Sequence, residues 1–188
     1  SNNWISARLI EQLSPTSLAR MMHSFGIRNY IDPVLSLCLG PVRVSVEEMV
    51  TAYTAFSNNG VRVDPVFVTR IEDNYGNVIS EFTPRMTEVF SERAYNRIVP
   101  ILCDVINVGT GSRIRFRYHI TAPMGGKTGT SNNNSDGWFM AFTPNLVVGT
   151  WVGGEDRSIH FDRMADGQGA SMALPIAGLF FQKVYADQ

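Results

Sequence analysis

Apolar residues recur at a helical interval from Trp4 to Leu13, with Ile5, Leu9 and Leu13 in one stripe and Arg8, Glu11 and Gln12 outside it. Ser14-Pro15 then restarts the chain. Ser14 suits a helix cap, Pro15 the first helical position, and Gly26 the close of a second helix. Leu18, Met21, Met22 and Phe25 are the inward residues expected of that helix. Ser45-Val46-Glu47-Glu48 has the form of a capping box. The stripe Met49, Tyr53, Phe56 follows it, and Asn58-Asn59-Gly60 ends the third helix. Beyond Pro65 the period changes: Phe67–Ile71 and Val78–Phe82 flank Asp73-Asn74-Tyr75-Gly76-Asn77, predicting a hairpin. Ser91 opens a helix running to about Asn107, which Pro100 is expected to kink or divide. The end of the chain predicts a glycine-rich strand through Thr130, strands over Trp138–Thr143 and Leu146–Val152 joined at Pro144-Asn145, and a closing helix over Ala173–Tyr185. Helices, then adjacent antiparallel strands, then a helix give an α+β fold, with an antiparallel sheet packed against helices.

Composition narrows the class. The 188 residues are 44% apolar and 18% charged with a formal net charge of −1, enough apolar material for a core and no charge excess favouring nucleic acid as a partner. The apolar run Ala173–Phe181 is about half the length of a membrane span, and no basic-then-apolar leader opens the sequence. Cys38 and Cys103 lie in unrelated apolar stretches, match no metal or redox spacing, and are expected to be small buried thiols. His23, His119 and His160 share no ligand spacing, so no metal and no cofactor is expected. Asp136 and Glu155-Asp156 read as turn or rim residues. Arg113, Arg115 and Arg117 alternate with Ile114 and Phe116 as in a solvated edge strand, and Trp138 and Trp151 are expected to pack against helices in the core.

Chemistry concentrates in Gly125-Gly126-Lys127-Thr128-Gly129-Thr130. Lys127 and Lys183 are the only lysines, against fourteen arginines. Glycines let a backbone approach a ligand closely. Two threonine hydroxyls and an ammonium within four residues can hold a carboxylate, and free strand N–H groups can face a developing oxyanion. A phosphate-binding loop is excluded, because the required glycine position holds Thr121.

The longer run GGKTGTSNNNSDGWFMAFTPNLVVGTWVGGED resembles the KTG strand and following hairpin of penicillin-binding protein transpeptidases, and within these the bifunctional class A type. The matching residues are Asp136, Trp138, Phe139, Thr143, Pro144, Trp151, Val152 and Gly153. The resemblance extends upstream through Gly109-Thr110-Gly111, the Glu48-Met49 to Gly60 helix and the Arg70 to Gly76 hairpin. That family uses Ser-x-x-Lys with the nucleophile, Ser-x-Asn and Lys-Thr-Gly. Ser-Asn-Asn occurs at Ser1, Ser57 and Ser131. Ser57 ends a helix, Ser131 follows KTGT in a polar loop, and only Ser1-Asn2-Asn3 lies in the family's register. No serine is followed by lysine three residues later, so the chain reads as the C-terminal portion, residues 1–188, of one transpeptidase domain, lacking the upstream Ser-x-x-Lys region.

The resemblance implies acyl transfer on peptidoglycan stem peptides, with β-lactams as trapping mimics of the terminal D-alanyl-D-alanine, outside the cytoplasmic membrane to which the parent protein is anchored. Ser1 would shuttle a proton to the departing nitrogen, Asn3 would hold the substrate amide, and Lys127 would supply positive potential. Thr128 and Thr130 would bind the terminal carboxylate, Gly129 would permit close approach, and the Thr130 N–H would be one oxyanion donor. The missing N-terminal half of the domain is the expected companion, and the chain alone is expected to be inactive and to self-associate through apolar surface. A D,D-carboxypeptidase, a β-lactamase or a non-catalytic binding module of the same fold are the alternatives.

Overall fold

The computed structural model describes residues 2–186, which divide into two compact units. The first, through Ala55 and then Val61–Val89, begins with α1 (Asn3–Leu13) and α2 (Pro15–Ser24). Asn2 caps α1, its side-chain oxygen accepting from the N–H groups of Trp4 and Ile5 at 3.1 and 3.3 Å. Ser14 stands at the start of α2 with φ +73°, but its side chain makes no capping bond. Its N–H instead closes α1 on the Ile10 carbonyl at 3.0 Å. Gly26, at φ +101°, ends the second helix as expected.

A 3₁₀ turn at Leu35–Leu39 leads to α3 (Val46–Ser57). Its capping box is formed in both directions, Ser45 N–H donating to Glu48 Oε2 at 2.8 Å and Glu48 N–H to Ser45 Oγ at 3.1 Å. Antiparallel β1 (Val61–Val63) and β4 (Met86–Glu88) bracket the hairpin β2 (Arg70–Glu72) and β3 (Val78–Glu81), whose register shifts by a bulge at Ile71/Glu72. Asp73 accepts from the Tyr75 and Asn77 N–H groups, so the turn ties itself through one carboxylate.

The small core of this unit is Ile10, Ala19, Ile27, Ile31 and Leu37. One inward assignment needs correction, and the α1 stripe is left uncovered. Ile5, Leu9 and Leu13 are exposed, and Ile10 is the buried residue of α1. Met21 is also exposed, while Ala19 takes the buried place and Leu18 and Met22 pack beside it. Periodicity identifies an apolar stripe but does not say what covers it.

The second unit contains Phe56–Gly60 and everything from Phe90. α4 (Glu92–Asn107) passes through Pro100 as one continuous helix, so the expected division does not occur. Pro100 is exposed, where water can serve the carbonyl that its missing N–H leaves unpaired. Arg113–Phe116 forms α5, a single helical turn and not the expected edge strand. Five alternating residues fit either period, and the turn is fixed by its contacts. Ile114 is fully buried, Arg113 donates to Ser171 Oγ at 2.9 Å, and Arg115 donates to the Ile120 and Ala122 carbonyls at 2.7 Å each.

β5 (Gly125–Thr130), β6 (Asp136–Thr143) and β7 (Leu146–Gly153) form a three-stranded antiparallel sheet in that order. Two short helices, α6 (Met164–Gly167) and α7 (Gly169–Met172), precede α8 (Leu174–Ala186). Alternation gives the sheet two different faces. Phe139 and Ala141 join Ile106, Ile114, Leu174, Ala177 and Phe181 in the helix-covered core. Trp138 and Trp151, directly paired across β6 and β7, fall on the opposite face. They pack on each other at 6.5 Å between ring centroids, and Trp151 stays 40% exposed, which corrects their expected place in the core. Cys38 and Cys103 are half-buried free thiols. Among the described residues no helix is long and apolar enough to cross a membrane, and no cluster of metal-ligating side chains occurs.

Candidate functional site

β5 occupies one edge of its sheet, and that position decides what its residues can do. Its glycines permit the packing behind it. A Cβ at Gly126 would collide with the Met140 carbonyl and lie 2.9 Å from Ile106 Cδ1, and one at Gly125 would enter the Phe142 ring. These two positions therefore let α4 and β6 close on the strand, leaving Lys127 to Thr130 along the free edge.

The hydrogen-bond phase follows from the loop that ends the strand. Ser131 N–H donates to the Asp136 carbonyl at 3.0 Å, so Ser131–Asp136 is a bonded pair. Bonded and non-bonded pairs alternate in an antiparallel ladder. Gly129–Trp138 and Lys127–Met140 then point their backbone groups toward β6, while Thr128 and Thr130, opposite Phe139 and Gly137, point theirs to the open edge. The Lys127 ammonium agrees independently with that phase, donating to the Thr128 carbonyl at 2.6 Å. Lys127 is half-buried, and loss of hydration depresses its pKa below the ordinary lysine value.

Each threonine hydroxyl is held at its back. Thr128 Oγ1 lies 2.6 Å from Thr110 Oγ1, and Thr130 Oγ1 accepts from the Gly169 N–H at 3.0 Å. Gly169 sits directly against the strand pair, where a Cβ would collide with the Gly129 carbonyl. Beyond the strand, Asp136 is a brace: Oδ2 accepts from Ser131 Oγ at 2.9 Å and Oδ1 from the Trp151 indole at 3.0 Å. An edge strand with outward N–H groups, two hydroxyls and one ammonium has the donors that an extended peptide ending in a carboxylate would need.

Of the residues expected from the sequence, Lys127, Thr128, Gly129 and Thr130 come together on β5. Ser1 lies outside the described residues. Asn3 is the first residue of α1, exposed, in the first unit. The other Ser-Asn-Asn copies behave as local structure: Ser57 Oγ donates to the Thr143 carbonyl at 2.8 Å, and Ser131 closes the loop after β5. Asp156 serves its own turn by accepting from the Ser158 N–H, and His23 Nδ1 sits 2.8 Å from the Ile27 carbonyl. Sequence reasoning missed the contacts of Thr110 and Gly169. Gly109-Thr110-Gly111 stands out in the sequence as a marker, but its proximity to β5 is a tertiary fact, and nothing local singles out Gly169.

Comparison with known proteins bears on this geometry. The penicillin binding protein transpeptidase domain matches residues 1–156. Penicillin-binding protein 1A of Rickettsia prowazekii (strain Madrid E) is 31% identical over 211 residues, covering all of this chain and 26% of that protein. The chain thus spans about a quarter of the length of such curated relatives. In fold, the crystal structure of penicillin-binding protein 1A from Haemophilus influenzae superposes with a TM-score of 0.88 at 24% identity, over 100% of this chain and 33% of that one. The penicillin G acyl-enzyme complex of penicillin-binding protein A from M. tuberculosis gives 0.70 at 15% identity, over 95% and 45%. A family match over most of the sequence, with its KTGT segment on an open sheet edge, leads to one assignment: the chain belongs to the penicillin binding protein transpeptidase domain family.

Proposed function

We propose that the protein carrying this chain is a serine D,D-transpeptidase that cross-links peptidoglycan stem peptides and is acylated by β-lactams. The observation that carries this reading is the open edge of β5, where the backbone groups of Thr128 and Thr130 face outward beside the Lys127 ammonium. The chain contains no Ser-x-x-Lys, so the nucleophilic serine belongs to a part of the parent protein outside these 188 residues.

In the reaction, that serine's oxygen adds to the carbonyl between two terminal D-alanines, and its proton passes to the departing D-alanine nitrogen as the C–N bond breaks. An amine of a neighbouring stem then adds to the ester carbonyl, loses a proton and expels the serine oxygen, which regains its hydrogen. The Thr130 N–H stabilises the oxyanion of each tetrahedral intermediate, and removal of one such donor costs roughly 2.7–4 kcal/mol. The Thr128 and Thr130 hydroxyls hold the terminal carboxylate, which the Lys127 charge attracts. Ser1 relays the proton and Asn3 holds the substrate amide. The reaction takes place on the outer face of the cytoplasmic membrane, to which the parent is anchored.

Fluorescent penicillin tests this directly. The full-length parent is expected to retain label after denaturation, and Lys127→Ala to lose it by two orders of magnitude or more, on the order of one lost electrostatic stabiliser. An unlabelled parent, or a Lys127→Ala variant labelled at the original rate, overturns the reading.

A further inference from the structure

The Thr110–Thr128 contact is 2.6 Å, short even for two hydroxyls. A hydroxyl has one hydrogen to give and two lone pairs. If Thr128 donates to Thr110, its hydrogen is consumed, and it presents only lone pairs to the open edge. If Thr110 donates, the Thr128 hydrogen is released for an anion. A carboxylate bonded to the Thr128 hydroxyl is compatible only with the second arrangement, because it has acceptors and no donor.

The placement of Thr110 is enforced by the segment around it. The Val108 and Gly109 N–H groups both donate to the Asp104 carbonyl at 2.9 Å, and the Gly111 N–H donates to the Val105 carbonyl at 2.9 Å. The chain thus folds tightly back over the end of α4. A Cβ at Gly109 would lie 2.8 Å from Val105 Cα, and one at Gly111 would lie 2.8 Å from Ile106 Cδ1. Glycine on both sides is what allows this wrap, and the wrap sets the one side chain between them against Thr128. Thr110 is exposed and buries little apolar area, so a core-packing role does not account for its position.

We infer that Thr110 is a positioning residue for ligand recognition, its hydroxyl donating to Thr128 Oγ1 and so turning the Thr128 hydrogen outward to a ligand carboxylate. The inference rests on the transpeptidase reading above and goes beyond it by making the Gly109-Thr110-Gly111 segment a determinant of selectivity for a free terminal carboxylate over its neutral ester or amide. Thr110 reaches the ligand only through Thr128. Two linked hydrogen bonds ending on an anion polarise one another in the same direction, which strengthens the outer one.

The test uses the full-length parent and its Thr110→Val, Thr110→Ser, Thr128→Val and Thr110→Val/Thr128→Val variants. The second-order acylation rate is measured with benzylpenicillin and with its methyl ester, which lacks the anion. Thr110→Val is expected to slow benzylpenicillin acylation about tenfold, the upper end for one hydrogen bond between neutral groups, while the ester rate changes less than about twofold. Thr110→Ser restores the rate by restoring the hydroxyl, and the double variant is no slower than Thr128→Val alone. Equal loss for acid and ester, or additive loss in the double variant, overturns the positioning role in favour of a purely structural one. An unchanged rate in Thr110→Val also overturns it. No acylation of the unsubstituted protein by either compound removes the underlying reading as well, so the two failures are told apart.

Discussion

Lys127 is the side chain on which charge and burial conflict most directly. It sits on the sheet face opposite the helical core, half-buried, with the Thr128 carbonyl as its hydrogen-bond acceptor. Removal from water disfavours the ammonium, so the folded-state pKa lies below the ordinary value of 10.5. The unfolded chain holds the proton more tightly, so the burial penalty is present at neutral pH and stability rises as pH climbs through the lowered folded pKa toward 10.5. Because Lys183 is the only other lysine, the site can be observed cleanly. Reductive ¹³C-methylation should give two lysine dimethylamine signals, and the one missing from Lys127→Arg should titrate below the ordinary lysine range. A Lys127 signal titrating at or above that range would show that the ammonium is fully hydrated or firmly ion-paired.

Among the helices and strands, α3 has the most informative local design. Glu48 is only 5% exposed, yet its surroundings favour the ionised carboxylate. Burial alone would raise its pKa, but hydrogen bonds from the Ser45 and Arg28 N–H groups, the Ser45 hydroxyl and the Arg28 charge together hold it below the usual value. A carboxylate whose pKa falls on folding contributes stability above its unfolded pKa, and that contribution disappears as pH drops through and below 4.5. Glu48→Gln should cost about 1–3 kcal/mol at pH 7 and much less near pH 3, as read from urea unfolding at both pH values. Equal costs at both would show that the charge carries none of the effect.

The same helix shows what a sequence can reveal. Its start is written in four consecutive residues and its end in Asn58-Asn59-Gly60, so both were readable locally. So were the β2–β3 turn, the Pro144-Asn145 turn and the β5 chemistry, where glycines and hydroxyls adjoin a rare lysine. What was not readable has a different cause. The short α5, the exposed stripe on α1 and the outward Trp138–Trp151 pair depend on which partner covers which face, and local period does not contain that information. The pairing of β1 with β4, separated by a whole hairpin, was missed for the same reason. Thr110 and Gly169 are remote from β5 in sequence and reach the candidate site only through the fold.

Taken as a 188-residue chain, the protein leaves much apolar surface in water. In the first unit Trp4, Ile5, Leu9 and Leu13 are exposed on α1, and Phe67, Val68 and Ile79 are exposed in and around the β2–β3 hairpin. In the second unit Ile176, Leu179 and Phe180 are exposed on α8. The α1 group is a contiguous stripe, since residues four apart on a helix are neighbours. A two-stranded hairpin with exposed apolar residues gains little stability on its own. Burial of such surface is favourable by about 25 cal/mol per Å², so contact between copies lowers free energy even without a designed interface. Sedimentation velocity on the isolated chain should therefore show species heavier than the monomer at tens of micromolar, roughly where exposed apolar surface drives association. Leu9→Glu/Leu13→Glu, which charges the α1 stripe without touching the buried Ile10, should shift the distribution back toward monomer. A strict monomer throughout that range would mean that these faces are too dispersed to act together. Association unaltered by the double substitution would place the sticky surface on the hairpin or on α8 instead.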